Sequence, residues 1–252
     1  MRLENKIVIL TGASSGIGYS VAKRFAEEGA TVIAMARRAE KLEELKESSL
    51  NLTGKIIPMQ GDVISQEDID RVVNHTLEEF GRIDVLINNA GVIDNYQSAA
   101  NVEDETWQRV LDVNVTGVMR MSRAVLPSMV EKKTGVIINT TSVGGFNGMR
   151  GGLAYVASKH AVVGMTKNIG YTYHKDGIRC VGVAPGSYAT EIGGHATAPD
   201  MKTLDILMAG FSLFPEVGNP DELAYLYAFL ASDEAKFING TVVLSDGGWT
   251  AY

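Results

Sequence analysis

Seven short runs of apolar and β-branched residues, at 6–10, 31–35, 55–58, 83–87, 135–139, 178–183 and 241–244, alternate with longer segments whose apolar residues recur at helical spacing. The clearest of these segments sets Ile69, Val72, Val73, Thr76, Leu77 and Phe80 at i, i+3, i+4, i+7, i+8 and i+11, a stripe that lets one helix face cover a sheet. Similar stripes occupy 17–25, 42–50, 107–130, 153–173 and 223–230. Val136-Ile137-Ile138 is apolar at every position, as a strand must be when both its faces are covered. This alternation predicts an α/β fold, with a seven-stranded parallel sheet flanked by helices on both faces.

Such a sheet is doubly wound and Rossmann-type, and it binds ligands at the carboxyl ends of its strands, where the winding reverses. The chain shows no linker, internal repeat or low-complexity tract, so residues 1–252 read as one domain. Hydrophobic residues at 45% and charged residues at 21% exclude disorder and coiled coil. Thirty acidic against 23 basic residues give a net charge of −7, and no basic run exceeds the pairs Arg37-Arg38 and Lys132-Lys133, so no nucleic-acid partner is expected. Cys180, the one cysteine, excludes a disulfide framework and reads as an inert core thiol. The four-residue apolar run from Ile7 to Leu10 is too short for a signal-peptide core, and no stretch reaches the roughly 18 apolar residues of a membrane span. A cytoplasmic, membrane-free protein is the expectation. His75, His160, His174 and His195 show no metal-like pairing, so no metal is expected; His160 follows Lys159 directly and points off the face that Lys159 uses.

The strand ends carry the chemistry. After the first run comes Thr11-Gly12-Ala13-Ser14-Ser15-Gly16-Ile17-Gly18, leading into a helix near Ile17. Glycines there let backbone approach a diphosphate, and the helix start offers it free N–H groups and a positive dipole end. The spacing is not G-x-G-x-x-G, because Val21 stands three residues after Gly18. Later runs end in Ala36-Arg37-Arg38, Gly61-Asp62-Val63, Asn88-Asn89-Ala90-Gly91, Thr140-Thr141-Ser142 and Ala184-Pro185-Gly186. Small, polar segments thus gather on one edge of the sheet.

The chain resembles the short-chain dehydrogenase/reductase family over essentially its whole length. The matching pieces are Thr11-Gly12-x-x-x-Gly16-x-Gly18, Asp62, Asn88-Asn89-Ala90-Gly91, Asn114, Ser142, Tyr155-x-x-x-Lys159, and Pro185-Gly186 followed by Thr190. Tyr-x-x-x-Lys also occurs at Tyr19/Lys23 and Tyr171/Lys175. Position selects among the three. Tyr155 follows Ser142 by 13 residues through a glycine-rich loop. Tyr171 lies 16 residues further on, roughly 24 Å along a helix. Tyr19 has no serine partner.

The resemblance implies an oxidoreductase that interconverts a ketone and a secondary alcohol. Hydride arriving at a carbonyl carbon turns its oxygen into an alkoxide that needs a proton, which makes Tyr155 the acid/base. A nearby Lys159 ammonium is expected to favour the phenolate and draw its pKa toward the working range. Ser142 would hydrogen-bond the substrate oxygen. In the family, Lys159 also holds the nicotinamide ribose and Asn114 positions a water that links Lys159 to solvent. Without the resemblance, Asn114 reads as a helix-interior residue bonding local backbone. Asp62 would bond the adenine, though an Asp after a strand is also a routine helix cap. The resemblance assigns the rest of the cofactor site to Gly12, Ser14, Ser15, Gly16, Ile17, Gly18, Val63, Asn89, Ala90, Gly91, Pro185, Gly186, Tyr188 and Thr190. An NAD site places Asp or Glu where this chain has Ala36, and Arg37 follows, suited to a 2′-phosphate. NADP is therefore the expected cofactor, NAD a weaker alternative, with Arg38 a solvated neighbour.

Two other readings compete. One is reduction of 3-oxoacyl groups on an acyl carrier protein, docked by Lys132, Lys133 and Lys175; the other is a nucleotide-binding scaffold without turnover. Substrate contacts are expected from 144–153 and from 187–218. The latter contains Ile192, Met201, Leu204, Ile206, Leu207, Met208, Phe211, Leu213 and Phe214 and reads as an apolar cover hinged at Gly193-Gly194, hence an apolar substrate. An amphipathic connection packed on the domain or a neighbouring subunit is the alternative. The family also suggests a homotetramer, with helices 107–130 and 153–173 at one interface.

Overall fold

The computed structural model describes residues 1–192, 199–210 and 215–251. All seven runs form strands: β1 Ile7–Thr11, β2 Thr31–Ala36, β3 Lys55–Gln60, β4 Val85–Asn88, β5 Gly135–Thr140, β6 Ile178–Pro185 and β7 Val242–Ser245. They pair in parallel in the order β3-β2-β1-β4-β5-β6-β7. The chain runs outward from β1 to β3, then crosses back to β4 beside β1, so the winding reverses between β1 and β4.

Alternation along β1 shows how both faces are buried. Val8 and Leu10 enter one apolar layer with Val21 and Phe25 of helix α1 (Gly16–Glu27) and Tyr227 of α8 (Pro220–Ala231). Ile7 and Ile9 enter the other, with Ile69 and Val72 of α3 (Gln66–Phe80) and Met121 and Val125 of α5 (Gly117–Lys132). Successive strand residues point to opposite sides, so an all-apolar strand requires helices on both.

Helix ends follow from local chemistry. Ser65 caps α3 by accepting from Asp68 N at 3.2 Å, and Gly81, at φ 70°, closes it. Asp62 is therefore not the cap. Asn219 caps α8, which opens on Pro220. The stripe at 107–130 is not one helix. It divides into α4 (Asp104–Leu111), a π-helical turn (Asp112–Thr116) and α5, and the turn holds Asn114 buried. A wide turn adds a residue without leaving the helical path, so the apolar stripe runs through it and hides the break. α2 spans Ala39–Glu47 and α6 Leu153–Thr172. Within 187–218 the chain forms a further helix, α7 (Met201–Gly210).

Between β4 and β5 a polar cluster crosses the core. Asn88 and Asn139 face each other across the strands, and Asn88 Nδ2 donates to Asn139 Oδ1 at 2.9 Å and Ser122 Oγ at 3.2 Å. Asn139 Nδ2 donates to Thr166 Oγ1 at 2.9 Å and to the Cys180 sulfur at 3.5 Å. Burial pushes the Cys180 thiol up to about 12, leaving it inert.

Candidate active site

The glycine turn after β1 is held from beneath by polar groups. Thr11 Oγ1 accepts from Asn89 N at 3.0 Å and Ala90 N at 3.1 Å. Asn89 Nδ2 donates to Thr11 O and Gly12 O at 3.2 and 3.1 Å, and its Oδ1 accepts from Thr140 Oγ1 at 3.4 Å. The Asn89 side chain is thus spent on bracing the turn. Gly12, at φ 69°, has no room for a side chain: a Cβ there would lie 2.7 Å from Ala90 Cα. Gly18 packs on Gly12 O, and Thr190 closes over Gly16, whose added Cβ would meet it at 3.1 Å. Ser15 precedes α1 without capping it, so the N–H groups of that helix start, from Gly16, Ile17 and Gly18, have no side-chain acceptor.

Of the two arginines after β2, Arg38 departs from expectation. Arg38 is not a solvated neighbour: its guanidinium bends over the turn, Nη2 lying 2.7 Å from Ser15 Oγ and 3.2 Å from Ser14 Oγ, while Nη1 pairs with Glu191 at 3.3 Å. Arg37 is exposed and lines a cavity of about 180 Å³ with Gln60, Gly61, Asp62, Asp68 and Arg71. Asp62 Oδ1 accepts from Ile64 N at 3.2 Å, and Val63 is buried against Gly117. On the other side of the switch point, Gly186 N donates to Ser245 O at 2.8 Å, which ties the Pro185-Gly186 end to β7. The Tyr188 hydroxyl lies 2.6 Å from Ser245 Oγ, which ties this residue to β7 as well. Uncapped amides, a close-packed glycine turn and an arginine-edged cavity along one sheet edge fit a dinucleotide.

At the ends of β4 and β5 the remaining residues converge. Ser142 Oγ accepts from Gly144 N at 3.0 Å and keeps its own proton for a further acceptor. A Cβ on Gly144 would lie 3.3 Å from Tyr155 Cε1 and 3.4 Å from Ser142 Oγ, so the hydroxyl and the ring flank one small space. Lys159 is 4% exposed, donates from Nζ to Thr140 O at 2.9 Å, and lies 5.6 Å from the centre of the Tyr155 ring. Asn114 does not bond its own helix. Its Oδ1 accepts from Val92 N at 2.8 Å, while Nδ2 donates to Val92 O at 2.9 Å and to Ser158 Oγ at 3.0 Å. A Cβ on Gly91 would sit 3.4 Å from Asn114 Oδ1 and 3.6 Å from Lys159 Nζ. Gly91 therefore leaves a gap between the amide and the ammonium.

Electrostatics correct one expectation. Burial raises the Tyr155 phenol above its usual 10, opposed by the Ser142 hydrogen bond and reinforced by the Asp94 carboxylate and Tyr96. Lys159 does not overcome this. Its Nζ is directed to the Thr140 carbonyl, and its own burial lowers it to about 8. Alone, the pocket therefore favours the neutral phenol, a proton donor.

The other tyrosine–lysine pairs lie elsewhere: Tyr171 is 80% exposed, and the Tyr19 hydroxyl meets Ser48 Oγ at 3.0 Å. His160 is exposed, bonded to Val156 O. Lys132, Lys133 and Lys175 lie just before β5 and β6 begin, at the opposite ends of those strands from Ser142. Phe211, Leu213, Phe214, His195 and the Gly193-Gly194 pair lie outside the described residues. Sequence reasoning missed Asp94, fully buried beside Tyr155 N, because a lone Asp in a loop carries no distinguishing spacing.

A family model described as short chain dehydrogenase matches residues 6–200. The chain is 39% identical over 251 residues to 3beta-hydroxysteroid dehydrogenase 2 of Eggerthella lenta, covering 99% of this chain and 96% of that protein. It is 38% identical over 250 residues to a 3-oxoacyl-[acyl-carrier-protein] reductase of Thermotoga maritima, covering 98% and 99%. The crystal structure of levodione reductase superimposes with a TM-score of 0.91 at 34% identity, over 100% of both chains. The chain belongs to the short-chain dehydrogenase family, oxidoreductases that act on CH–OH groups with NAD or NADP. Among the described residues, no helix is long and apolar enough to cross a membrane.

Proposed function

We propose that this chain interconverts a bulky apolar ketone and its secondary alcohol, prefers NADP, and uses Tyr155 as acid/base. The observation that carries the reading is the convergence of Ser142, Tyr155, Lys159 and Asn114 around the space beside Gly91 and Gly144. When bound, the nicotinamide supplies or accepts the hydride. The chain's residues do the rest. The Tyr155 hydroxyl gives its proton to the carbonyl oxygen, and Ser142 donates a hydrogen bond that fixes that oxygen. Lys159 would hold the nicotinamide ribose and restore the phenol's proton, and the gap between its ammonium and Asn114 Oδ1 suits a water on that route. In the oxidising direction the raised phenol must first be deprotonated, so that rate climbs with pH.

Gly12, Ser14, Ser15, Gly16, Ile17 and Gly18 would hold the diphosphate, Asp62 and Val63 the adenine, Asn89, Ala90 and Gly91 the nearby ribose, and Pro185, Gly186, Tyr188 and Thr190 the nicotinamide end. Ala36 in place of an acid, Arg37 at the cavity and Arg38 on the turn support NADP. The apolar substrate is supported by Met201, Ile206 and Met208, exposed on α7, and by relatives named for hydroxysteroids. We also infer one cytoplasmic catalytic domain, with 187–218 as its substrate cover, assembled as a homotetramer. An apolar groove of about 800 Å³ between α5 and α6, lined by Met119, Leu126, Val130, Met165 and Ile169, supports the assembly.

A panel of ring ketones, followed by loss of NADPH absorbance, tests the activity. Tyr155→Phe should lower turnover roughly 10²- to 10⁴-fold with cofactor affinity unchanged. Tyr171→Phe should be silent. Turnover in Tyr155→Phe close to wild type would remove the acid/base assignment, and efficient turnover only of charged, highly polar ketones would remove the apolar substrate.

A further inference from the structure

Helix α6, which carries Tyr155 and Lys159, has Gly152 at its N-cap, and so no side-chain cap of its own, and no acidic residue in its first turn. Both are supplied from a segment 58 residues away. Asp94, fully buried in the loop after β4, accepts from Gly152 N at Oδ1 and from Tyr155 N at Oδ2, each at 3.0 Å. A carboxylate at a helix start satisfies free amides and complements the dipole. It comes this close only because residue 152 is glycine, where a Cβ would lie 2.5 Å from Asp94 Oδ2.

The same carboxylate orders its own loop. Oδ1 accepts from Tyr96 N at 3.1 Å and holds Tyr96 at φ 55°, a left-handed conformation costly for a bulky side chain. One residue on, Gln97 O accepts from Leu153 N at 2.9 Å. The loop then reaches Asp200, whose Oδ2 accepts from Ser98 N at 3.3 Å and Asn101 Nδ2 at 3.0 Å and whose Oδ1 accepts from Lys202 N and Thr203 N at the start of α7. Loop 94–101 thus fastens the first turn of α6 to the first turn of α7.

We propose that Asp94 is a positioning residue for the reaction, setting the Tyr155 phenol opposite Ser142 by clamping the first turn of α6. This rests on Tyr155 being the acid/base. A helix start that shifts by a fraction of an ångström carries the phenol with it, and reactions of this kind are steep in such displacements. The groups facing the phenol are Ser142 from the end of β5, Lys159 one turn along α6, and Asp94 and Tyr96 from the loop. Asp94 and Tyr96 both act to keep it protonated. Removing the Asp94 charge therefore lowers the phenol's pKa.

The test compares Asp94→Asn and Gly152→Ala with wild type in both reaction directions. Asp94→Asn keeps the shape but turns an amide donor toward a backbone donor. We expect kcat to fall roughly 10- to 100-fold at unchanged cofactor affinity, and the alkaline rise of alcohol oxidation to move to lower pH. Gly152→Ala pushes the carboxylate away but leaves its charge, so kcat should fall without that move. Wild-type kcat in Asp94→Asn overturns the proposal, as does a loss in which kcat, cofactor affinity and thermal stability decline together while the pH profile stays in place. Should Asp94→Asn not accumulate as folded protein, the kcat of Gly152→Ala decides. Tyr155→Phe run alongside separates the claims: if it is inactive while Asp94→Asn is wild type, the acid/base reading stands and the positioning role falls.

Discussion

Replacing Lys159 with methionine should inactivate the enzyme and stabilise it. The ammonium is 4% exposed, and burial lowers its pKa from 10.5 to about 8. At about 1.4 kcal/mol per pH unit, keeping the charge buried costs the folded state about 3 kcal/mol below pH 8. Methionine has similar length and no charge, so it fills the space at little packing cost. Against that gain, the Thr140 carbonyl loses its donor, which costs roughly 1–2 kcal/mol. A net gain of about 1–2 kcal/mol remains at pH 7, or roughly 2–8 °C in Tm for a chain of this size. The sign with pH is distinctive. Between pH 8 and 10.5 the unfolded wild type binds more protons at this lysine than the folded form, so wild-type stability rises with pH across that window. The variant lacks this dependence, so its advantage should vanish between about pH 9 and 10 and turn into a deficit above that. Denaturant melts of both proteins at matched concentration, from pH 7 to 10, read the difference directly. A variant less stable than wild type at pH 7, or an advantage constant to pH 10, would refute the argument.

Cofactor choice and assembly give two further tests. The wild type should prefer NADPH over NADH by about 10- to 150-fold in kcat/KM, the worth of one charged hydrogen bond. Ala36→Asp with Arg37→Ala should reverse the preference, and Arg38→Ala alone should weaken it; equal use of the two cofactors by wild type would be incompatible with both arginine roles. Met165→Glu, in the groove between α5 and α6, should reduce the mass measured by light scattering to that of a smaller assembly. An unchanged mass would place the interface elsewhere.

Much of this architecture was legible because period carries it. Strands buried on both faces leave all-apolar runs, and each of the seven appears within one or two residues of its expected bounds. The convergence of Ser142, Tyr155 and Lys159 was legible as a joint pattern of spacing, and the structure brings the three together at the ends of β4 and β5. What sequence concealed was direction. Consecutive Arg37 and Arg38 look alike on the page, yet Arg38 meets the glycine turn while Arg37 lines the cavity beside Asp62. The π turn at Asn114 was hidden because a wide turn does not interrupt an apolar stripe. Sequence points to a lowered Tyr155 pKa because the Lys159 charge is visible there, whereas the burial that raises it is not. Asp94 was invisible because its role depends on a contact across 61 residues.

The asparagine pair between β4 and β5 has a consequence for how the site is levelled. A strand in a parallel sheet keeps its pleat in phase with its neighbour only if it slips by two residues, roughly 6.6 Å, and a strand that is apolar on both faces offers little to choose between such steps. Asn88 opposite Asn139 removes the ambiguity, because any other alignment would strand two buried amides against hydrocarbon. This polar rung is a spirit level for the active edge. It fixes the height at which Asn89 leaves β4 and Ser142 leaves β5, so the glycine turn that Asn89 braces and the Ser142 hydroxyl are set relative to each other by the sheet itself. Swapping the pair for leucines would leave a sheet that still packs but no longer knows where along its length to stop.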